Sequence, residues 1–324
     1  MKEVRNVQYQ VTVQVLTYNS DPEKLRQTLR SIIMQKDIAF QIVISDDGSA
    51  RPPFEEARTF FAENDFHDYK FVENPVNRGT VWNYFSAVEA SDGTYVKPFS
   101  PGDLLSANDV LAEWVAQTRN HQADASIADA FYYGQNDQGV YPVRAKTHPQ
   151  DVSCYQKGNQ DRIRMNYLFG ADLFLGAAVL CRRETALAYL RELCGKVIYA
   201  EDGMFRLMAY DGVSVYYYPR EAIFYEYGPG ISTCGSPVWQ ERLRKDWLAT
   251  AQILADRCVT NKRFDRYLKA SLTHSQSGLW FKIKKVLLFP ELLMHRLKCK
   301  WMPRWSPERI PLEYLKTIMK PDIN

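Results

Sequence analysis

The first 134 residues alternate between two hydrophobic periodicities. Val11-Thr-Val-Gln-Val-Leu16 is rich in β-branched residues and stops at the polar run Thr17-Tyr-Asn-Ser-Asp21, as a buried strand does. Leu25, Leu29, Ile32 and Ile33 then recur at i, i+4, i+7 and i+8, the spacing of one buried helix face. Ser20 and Glu23 stand at capping-box spacing with Pro22 in the first turn, which predicts the start of that helix. Gln41-Ile-Val-Ile44 reads as a short buried strand, closed by the turn residues Ser45-Asp-Asp-Gly-Ser49. The same reading predicts helix 54–63, strand 69–72, a loop over 74–79, helix 80–90, strand 94–99, helix 106–117 and a strand near 125–132. Strands and helices that alternate with short connections predict an α/β fold, a mostly parallel sheet with helices on both faces.

Past Gly134 the pattern loosens. Residues 135–170 are polar and irregular and read as a loop, mixed segments return over 172–218, and helices are expected from about 237 onward. The expected division is one domain over 1–235, with halves at 9–134 and 135–235, followed by a helical appendage over 236–324.

Composition narrows the class. With 46% hydrophobic and 24% charged residues the chain is globular, neither disordered nor fibrous. Cys154, Cys181, Cys194, Cys234, Cys258 and Cys299 lack both metal-ligand and disulfide-scaffold spacing, which fits a reducing compartment. MKEVRNVQYQ has no signal-peptide core, and no stretch approaches the ~18 apolar residues of a membrane span. The expectation is a cytoplasmic protein, at most peripheral on the inner face of the cell membrane.

Charge changes that picture near the end of the chain. Between 261 and 304 eleven Lys and Arg face only Asp265 and Glu291, although the whole chain has a net charge of +3. Within this stretch, residues 279–305 interleave Lys282, Lys284, Lys285, Arg296, Lys298 and Lys300 with Trp280, Phe281, Leu287, Leu288, Phe289, Trp301 and Trp305. Basic residues among large apolar ones suit a helix lying in an anionic membrane interface, or one packed on the domain with its charges reaching to water. No nucleic-acid-reading module is present.

In a doubly wound sheet, ligands sit beyond the carboxyl ends of the strands. The residues collected there are Thr17-Tyr18-Asn19, Asp46-Asp47-Gly48, Asn77-Arg78-Gly79 and Ser100-Pro-Gly-Asp103. Neither G-x-G-x-x-G nor G-x-x-x-x-G-K-[ST] occurs, so no dinucleotide fingerprint or P-loop is available. Val-Leu-Thr-Tyr-Asn, Ile-Val-Ile-Ser-Asp-Asp-Gly-Ser, Asn-x-Arg-Gly, Ala200-Glu-Asp-Gly203 and Gly230-Ile-Ser-Thr233, in this order, resemble the family 2 glycosyltransferases over roughly residues 9–235.

The resemblance implies a GT-A nucleotide-binding fold with its donor half at 9–134 and its acceptor half at 135–235. It implies that Asp46 binds the base, that the Tyr18 loop flanks the nucleotide, and that Asn77, Arg78 and Gly79 lie near the ribose and base. Glu201-Asp202 matches the family's acidic pair, with Asp202 as the base of an inverting displacement and Glu201 second to it. The metal motif departs from the usual Asp-x-Asp: Phe99-Ser100-Pro-Gly-Asp103 keeps only its last carboxylate. One Asp with the donor's diphosphate still suits Mn²⁺ or Mg²⁺, and Arg242, Arg244 and Lys245 stand where basic residues would meet that diphosphate. The implied activity is transfer of one sugar from a UDP- or dTDP-type donor to a saccharide, polyprenyl-diphosphate-linked, in surface-polysaccharide assembly such as capsule or lipopolysaccharide. Two alternatives are a sugar-phosphate nucleotidyltransferase, which needs an N-terminal glycine-rich basic loop that Val15–Ser20 lacks, and a non-catalytic binding module of the same fold.

Overall fold

Alternate valines set the first strand. Val11, Val13 and Val15 of β1 (Val11–Thr17) bury on one face of the sheet, and Thr12 and Gln14 bury on the other. A strand with no wet face belongs in the middle of a sheet. β1 accordingly pairs in parallel with β2 (Phe40–Asp47) on one side and β4 (Tyr95–Phe99) on the other, while β3 (Tyr69–Asn74) pairs in parallel with β2. The register sets Thr17 opposite Asp46 and Asp47 opposite Asn74, so these strands release their turns along one edge. The structure, a computed structural model, describes residues 8–228, 236–257, 262–273 and 278–320.

The sheet continues as β3-β2-β1-β4-β8-β6-β9-β5, with β5 at Leu104–Leu105, β6 at Ala125–Asn136, β8 at Val179–Arg182 and β9 at Val215–Glu226. A short β7 (Gly139–Pro142) hairpins onto β6. The β3-β2-β1-β4 half is parallel; antiparallel pairs enter with β8, β7 and β5, while β6 and β9 run parallel. Helices α1 (Pro22–Ile33), α2 (Phe54–Glu63) and α4 (Val110–Asn120) bury Leu29, Phe61 and Trp114 in the core on one face. On the other face lie α3 (Thr80–Ala90), α7 (Arg183–Leu193), α8 (Gly203–Asp211) and α9 (Pro237–Asp256), contributing Tyr84, Leu190, Leu207 and Leu254. This is the expected α/β sandwich.

Three local expectations are corrected. The cap of α1 is Asp21, whose Oδ1 accepts from the amides of Glu23 (2.9 Å) and Lys24 (3.4 Å), while Ser20 Oγ instead accepts from Tyr18 N. Asp21, one residue nearer the first turn, offers a charged carboxylate acceptor to the open amides. The helix expected from 106 begins at Val110, because Leu104-Leu105 pairs with β9 and Ser106 is tied to Ala222 O and Glu221 O. The stretch read as a loop over 135–170 holds β7, α5 (Ser153–Gln156), α6 (Gln160–Met165) and a π-turn at Asn166–Gly170.

The C-terminal region is helical, with α10 (Lys262–Thr273), α11 (Leu279–Leu288), α12 (Glu291–Trp301) and α13 (Leu312–Met319). It rests on the sheet domain through specific contacts. Phe289 stacks on Phe169 at 4.4 Å within a cluster that includes Phe281 and Leu292. Lys298 pairs with Asp151 (2.6 Å), Arg304 with Asp129 (2.5 Å), and Arg30 of α1 donates to the Ile318 and Lys320 carbonyls at the end of α13.

Candidate functional site

The first two turns hold each other. Asn19, at φ 45°, donates its amide to Ser49 Oγ (2.6 Å), and its side-chain oxygen accepts from Ala50 N (3.2 Å). Asp46 Oδ1 accepts from Thr17 Oγ1 (2.8 Å) and Ser49 Oγ (2.7 Å), and its Oδ2 accepts from Ser49 N (2.8 Å). Asp46 is fully buried and knots these turns together through Thr17 and Ser49. A carboxylate on a central strand finds its donors in the chain above it before any ligand arrives. Tyr18, 51% exposed beside this knot, faces outward.

Asp47 organises the third turn. Its two oxygens accept from Arg78 N (3.0 Å) and Gly79 N (2.8 Å), and burial pushes its carboxyl up from the usual range. Gly79 has φ +90°, and a Cβ there would stand 2.4 Å from Ile198 O. Only glycine permits both that backbone and that approach. Asn77 and Arg78 are exposed at the head of α3, with the Arg78 guanidinium 3.1 Å above the Trp82 ring.

The fourth turn carries Asp103. Ser100 N donates to Asp103 Oδ2 (3.0 Å) and Asp103 N to Ser100 O (3.0 Å), closing the turn on itself. Thr28 Oγ1 bridges it, accepting from Gly102 N and donating to Asp103 O, and Tyr133 OH donates to Gly102 O. The Asp103 carboxyl stays partly open to solvent. Burial pushes its affinity for a proton up and the nearby Glu226 adds to this, while Lys97 opposes it. Lys97 is fully buried in β4, donating to Pro98 O (2.7 Å) and Ala177 O (2.6 Å), and burial pulls its ammonium down. Glu226, at the end of β9, pairs with Lys24 at 2.5 Å.

Glu201 and Asp202 lie at the head of α8, where negative charge meets the helix N-terminus. Their approach segment is clamped from α9: Asp246 Oδ1 accepts from Ile198 N (3.1 Å), and Oδ2 accepts from Tyr199 N (2.6 Å) and Ala200 N (3.0 Å). Ile198 O accepts in turn from Val81 N (3.0 Å). Asp47, Gly79, Ile198 and Asp246 thus form one mechanical line from the donor-side turns to the acidic pair. Glu201 is pushed up to about 7 by burial first and by Asp202 second. Burial first, and then the charges of Asp103 and Glu201, push the Tyr225 phenol of β9 up to about 12. Arg242 lies over Tyr199 (5.4 Å) and Trp239 (4.8 Å), beside this segment. Arg244 is instead held by Glu241 on an exposed helix face.

Lys24, Lys97, Tyr225, Glu226 and Asp246 were missed by sequence reasoning. Two carried a signal: Lys97 interrupts an apolar strand, and Asp246 interrupts a basic run. His295 of α12 is buried with Nε2 3.5 Å from Asp172 and Nδ1 3.9 Å from Asp151. With Cys299 and Asp172 it is a grouping of metal-ligating types, within 4.8 Å, among the described residues. Asp151 there already holds Lys298 (2.6 Å), and both Asp172 oxygens accept from the amides of Gln150 and Asp151. The Gly230–Thr233 motif lies outside the described residues.

A parallel half-sheet whose turns converge on carboxylates, followed by an acidic pair at a helix head, is the GT-A architecture of nucleotide-sugar transferases. Residues 12–193 match the family model for Glycosyl transferase family 2, which is more than half of the chain; the protein belongs to that family and is a glycosyltransferase. No curated protein matches it in sequence. Among solved structures, the mannosyltransferase PcManGT from Pyrobaculum calidifontis, in complex with GDP-Man and Mn²⁺, is 16% identical at a TM-score of 0.56, over 96% of this chain and 79% of that one. S. aureus TarS 1-349 is 14% identical at a TM-score of 0.53, over 88% and 80% of the two chains. TarS 1-349 in complex with UDP-GlcNAc gives 15% and 0.52, over 96% and 88%. At such identities the likeness is one of fold.

Proposed function

We propose that this glycosyltransferase moves one sugar, with inversion, from a UDP- or dTDP-type nucleotide sugar to a saccharide carried on polyprenyl diphosphate, in surface-polysaccharide assembly. The observation that supports this best is the line of contacts from Asp47 through Gly79 and Ile198, which ties the donor-side turns to the segment carrying Glu201 and Asp202. Donor binding draws support from the nucleotide sugars held by PcManGT and TarS.

Asp202 takes the proton of the acceptor hydroxyl as its oxygen bonds to the anomeric carbon. The bond from that carbon to the diphosphate breaks on the opposite side, and the nucleoside diphosphate leaves with the electron pair. Glu201, whose carboxyl burial pushes up to about 7, stands beside Asp202 at the head of α8. Tyr18, Asn77 and Arg78 face the nucleotide, while Thr17, Asn19, Asp46, Asp47 and Gly79 shape the turns that present them.

Asp103 is the residue that would hold Mn²⁺ or Mg²⁺. The fit rests on a partly open carboxyl, crowded by Glu226, whose repulsion a cation relieves. A bound ion would neutralise the charge growing on the leaving diphosphate. Ser100 offers a neutral oxygen where a second carboxylate would strengthen such a site, and Arg242, beside Tyr199, is the basic residue proposed to share that charge.

The test is nucleotide binding by thermal shift with UDP, dTDP, GDP and CDP, with and without Mn²⁺, on wild type, Asp103→Ala and Asp202→Asn. One nucleotide should raise the melting point, and Asp103→Ala should abolish the Mn²⁺-dependent part of that rise. Asp202→Asn should keep the shift and lose roughly 10²–10⁴-fold in transfer. Absence of any nucleotide shift in wild type would overturn the donor site; an undiminished rate in Asp202→Asn would overturn the base.

A further inference from the structure

Helices α11 and α12 wear their apolar residues on the outside. In α11, Leu279, Trp280 and Leu287 are 73%, 80% and 77% exposed, with Ile283 also exposed. At 100° per residue these four span an arc of about 100°, and Phe281 and Leu288, which face the protein, lie on the opposite side. In α12, Leu293, Met294, Leu297 and Trp301 are exposed over a similar arc, opposite the buried Leu292 and His295. Met302 and Trp305 extend the exposed run. Both helices rest on one cluster, through Phe281, Phe289 and Leu292, so each already has its inner contact. The outward stripes are therefore a second apolar surface that packing on the domain does not use.

Exposed apolar stripes of this size mark an interaction site, and the charges on the same helices select the occupant. Lys282, Lys284, Arg296 and Lys300 are exposed on the same two helices, and Glu291, their one acidic residue, is paired with Arg263. A soluble protein partner would need a matching acidic apolar face; an anionic bilayer supplies negative headgroups and hydrocarbon together. Two tryptophans at about 80% exposure suit the headgroup boundary, where an amphipathic ring has both an apolar and a wet neighbour. Among the described residues no helix is long and apolar enough to cross a membrane, so the contact would be in the plane of the interface.

We infer that α11 and α12 form a membrane-docking face that seats Leu279, Trp280, Ile283, Leu287, Met294, Leu297 and Trp301 in the headgroup boundary of an anionic bilayer. The inference stands on these helices alone and is independent of the donor site. It deepens the proposed function, since a polyprenyl-linked acceptor presents its sugar at that boundary.

The experiment is sedimentation of the full chain with phosphatidylcholine vesicles, with and without phosphatidylglycerol, together with tryptophan emission and analytical ultracentrifugation without lipid. The variants are Trp280→Ser with Trp301→Ser, and Lys282→Ser with Lys284→Ser; unchanged melting points and nucleotide shifts establish that they fold. Wild type should bind the anionic vesicles with a blue shift, and bind the neutral ones more weakly. The tryptophan pair should lower partitioning on the order of tenfold or more, and the lysine pair should lose mainly the dependence on anionic lipid and salt. Failure of wild type to bind anionic vesicles, or wild-type binding by the tryptophan pair, overturns the inference. A lipid-free dimer that the tryptophan pair disperses, with no vesicle binding, reassigns the surface to a second copy of the chain.

Discussion

Asp246→Asn tests whether the acidic pair is held in place from α9. The wild-type carboxylate is buried and takes three backbone amides, two of them on Oδ2. An asparagine keeps one acceptor oxygen and puts an amide N–H₂ in place of the other. Whichever way it turns, at least one donor of the Ile198–Ala200 segment faces another donor. Each bond to a charged acceptor contributes about 1.5–3 kcal/mol, and a buried amide left unmet costs about 1–3 kcal/mol, so a loss of roughly 2–4 kcal/mol is expected. At about 2–4 °C per kcal/mol this is a fall of about 4–16 °C in melting point. The same segment carries Glu201 and Asp202, and a shift of about 1 Å in a reacting group costs on the order of 10²-fold in rate. Calorimetry with a transfer assay should therefore find Asp246→Asn less stable and slower, with nucleotide binding largely retained. A melting point within about 1 °C of wild type together with an unchanged rate would refute the clamp.

Two further outcomes follow from the same line of residues. Gly79→Ala should destabilise by about 2–4 kcal/mol, because it combines an unfavourable positive φ with a Cβ placed 2.4 Å from a backbone oxygen; denaturant unfolding at unchanged slope measures it, and a variant as stable as wild type would show that the Gly79–Ile198 approach is loose. Glu201 holds its proton up to about 7 in the folded protein against about 4.5 unfolded, so its contribution to stability is full below pH 4.5 and is lost as pH rises through 7. Glu201→Gln should thus gain on wild type by up to about 3 kcal/mol between pH 5 and pH 8, less what solvent screens; melting curves that stay parallel across that range would sink the assignment.

Much of the fold was legible because each strand and helix of the donor half carries its own period. Val11–Val15 shows a strand on its own, and Leu25–Ile33 shows one helix face. Ser20 and the expected helix at 106 were misplaced because both depend on neighbours that local pattern does not reveal. Asp21 won the cap by reaching two amides, and Leu104-Leu105 was drawn into an edge strand by β9. The turns at strand ends were found as motifs, but the hydrogen bonds that tie them to one another were not. Asp46 looks the same on paper whether it faces a ligand or, as here, Thr17 and Ser49.

The sequence by itself determined the family, the alternation that builds the sheet, and the short list of carboxylates at its edge, because these rest on residue type and spacing. Tertiary structure alone decided which of them are open. It tied Asp47 to Gly79, Gly79 to Ile198 and Ile198 to Asp246 across most of the chain's length, and brought Glu226 and Lys24 to Asp103. It also turned the apolar residues of α11 and α12 outward, which periodicity could not decide, since an amphipathic helix with two apolar faces reads alike whichever one meets the core.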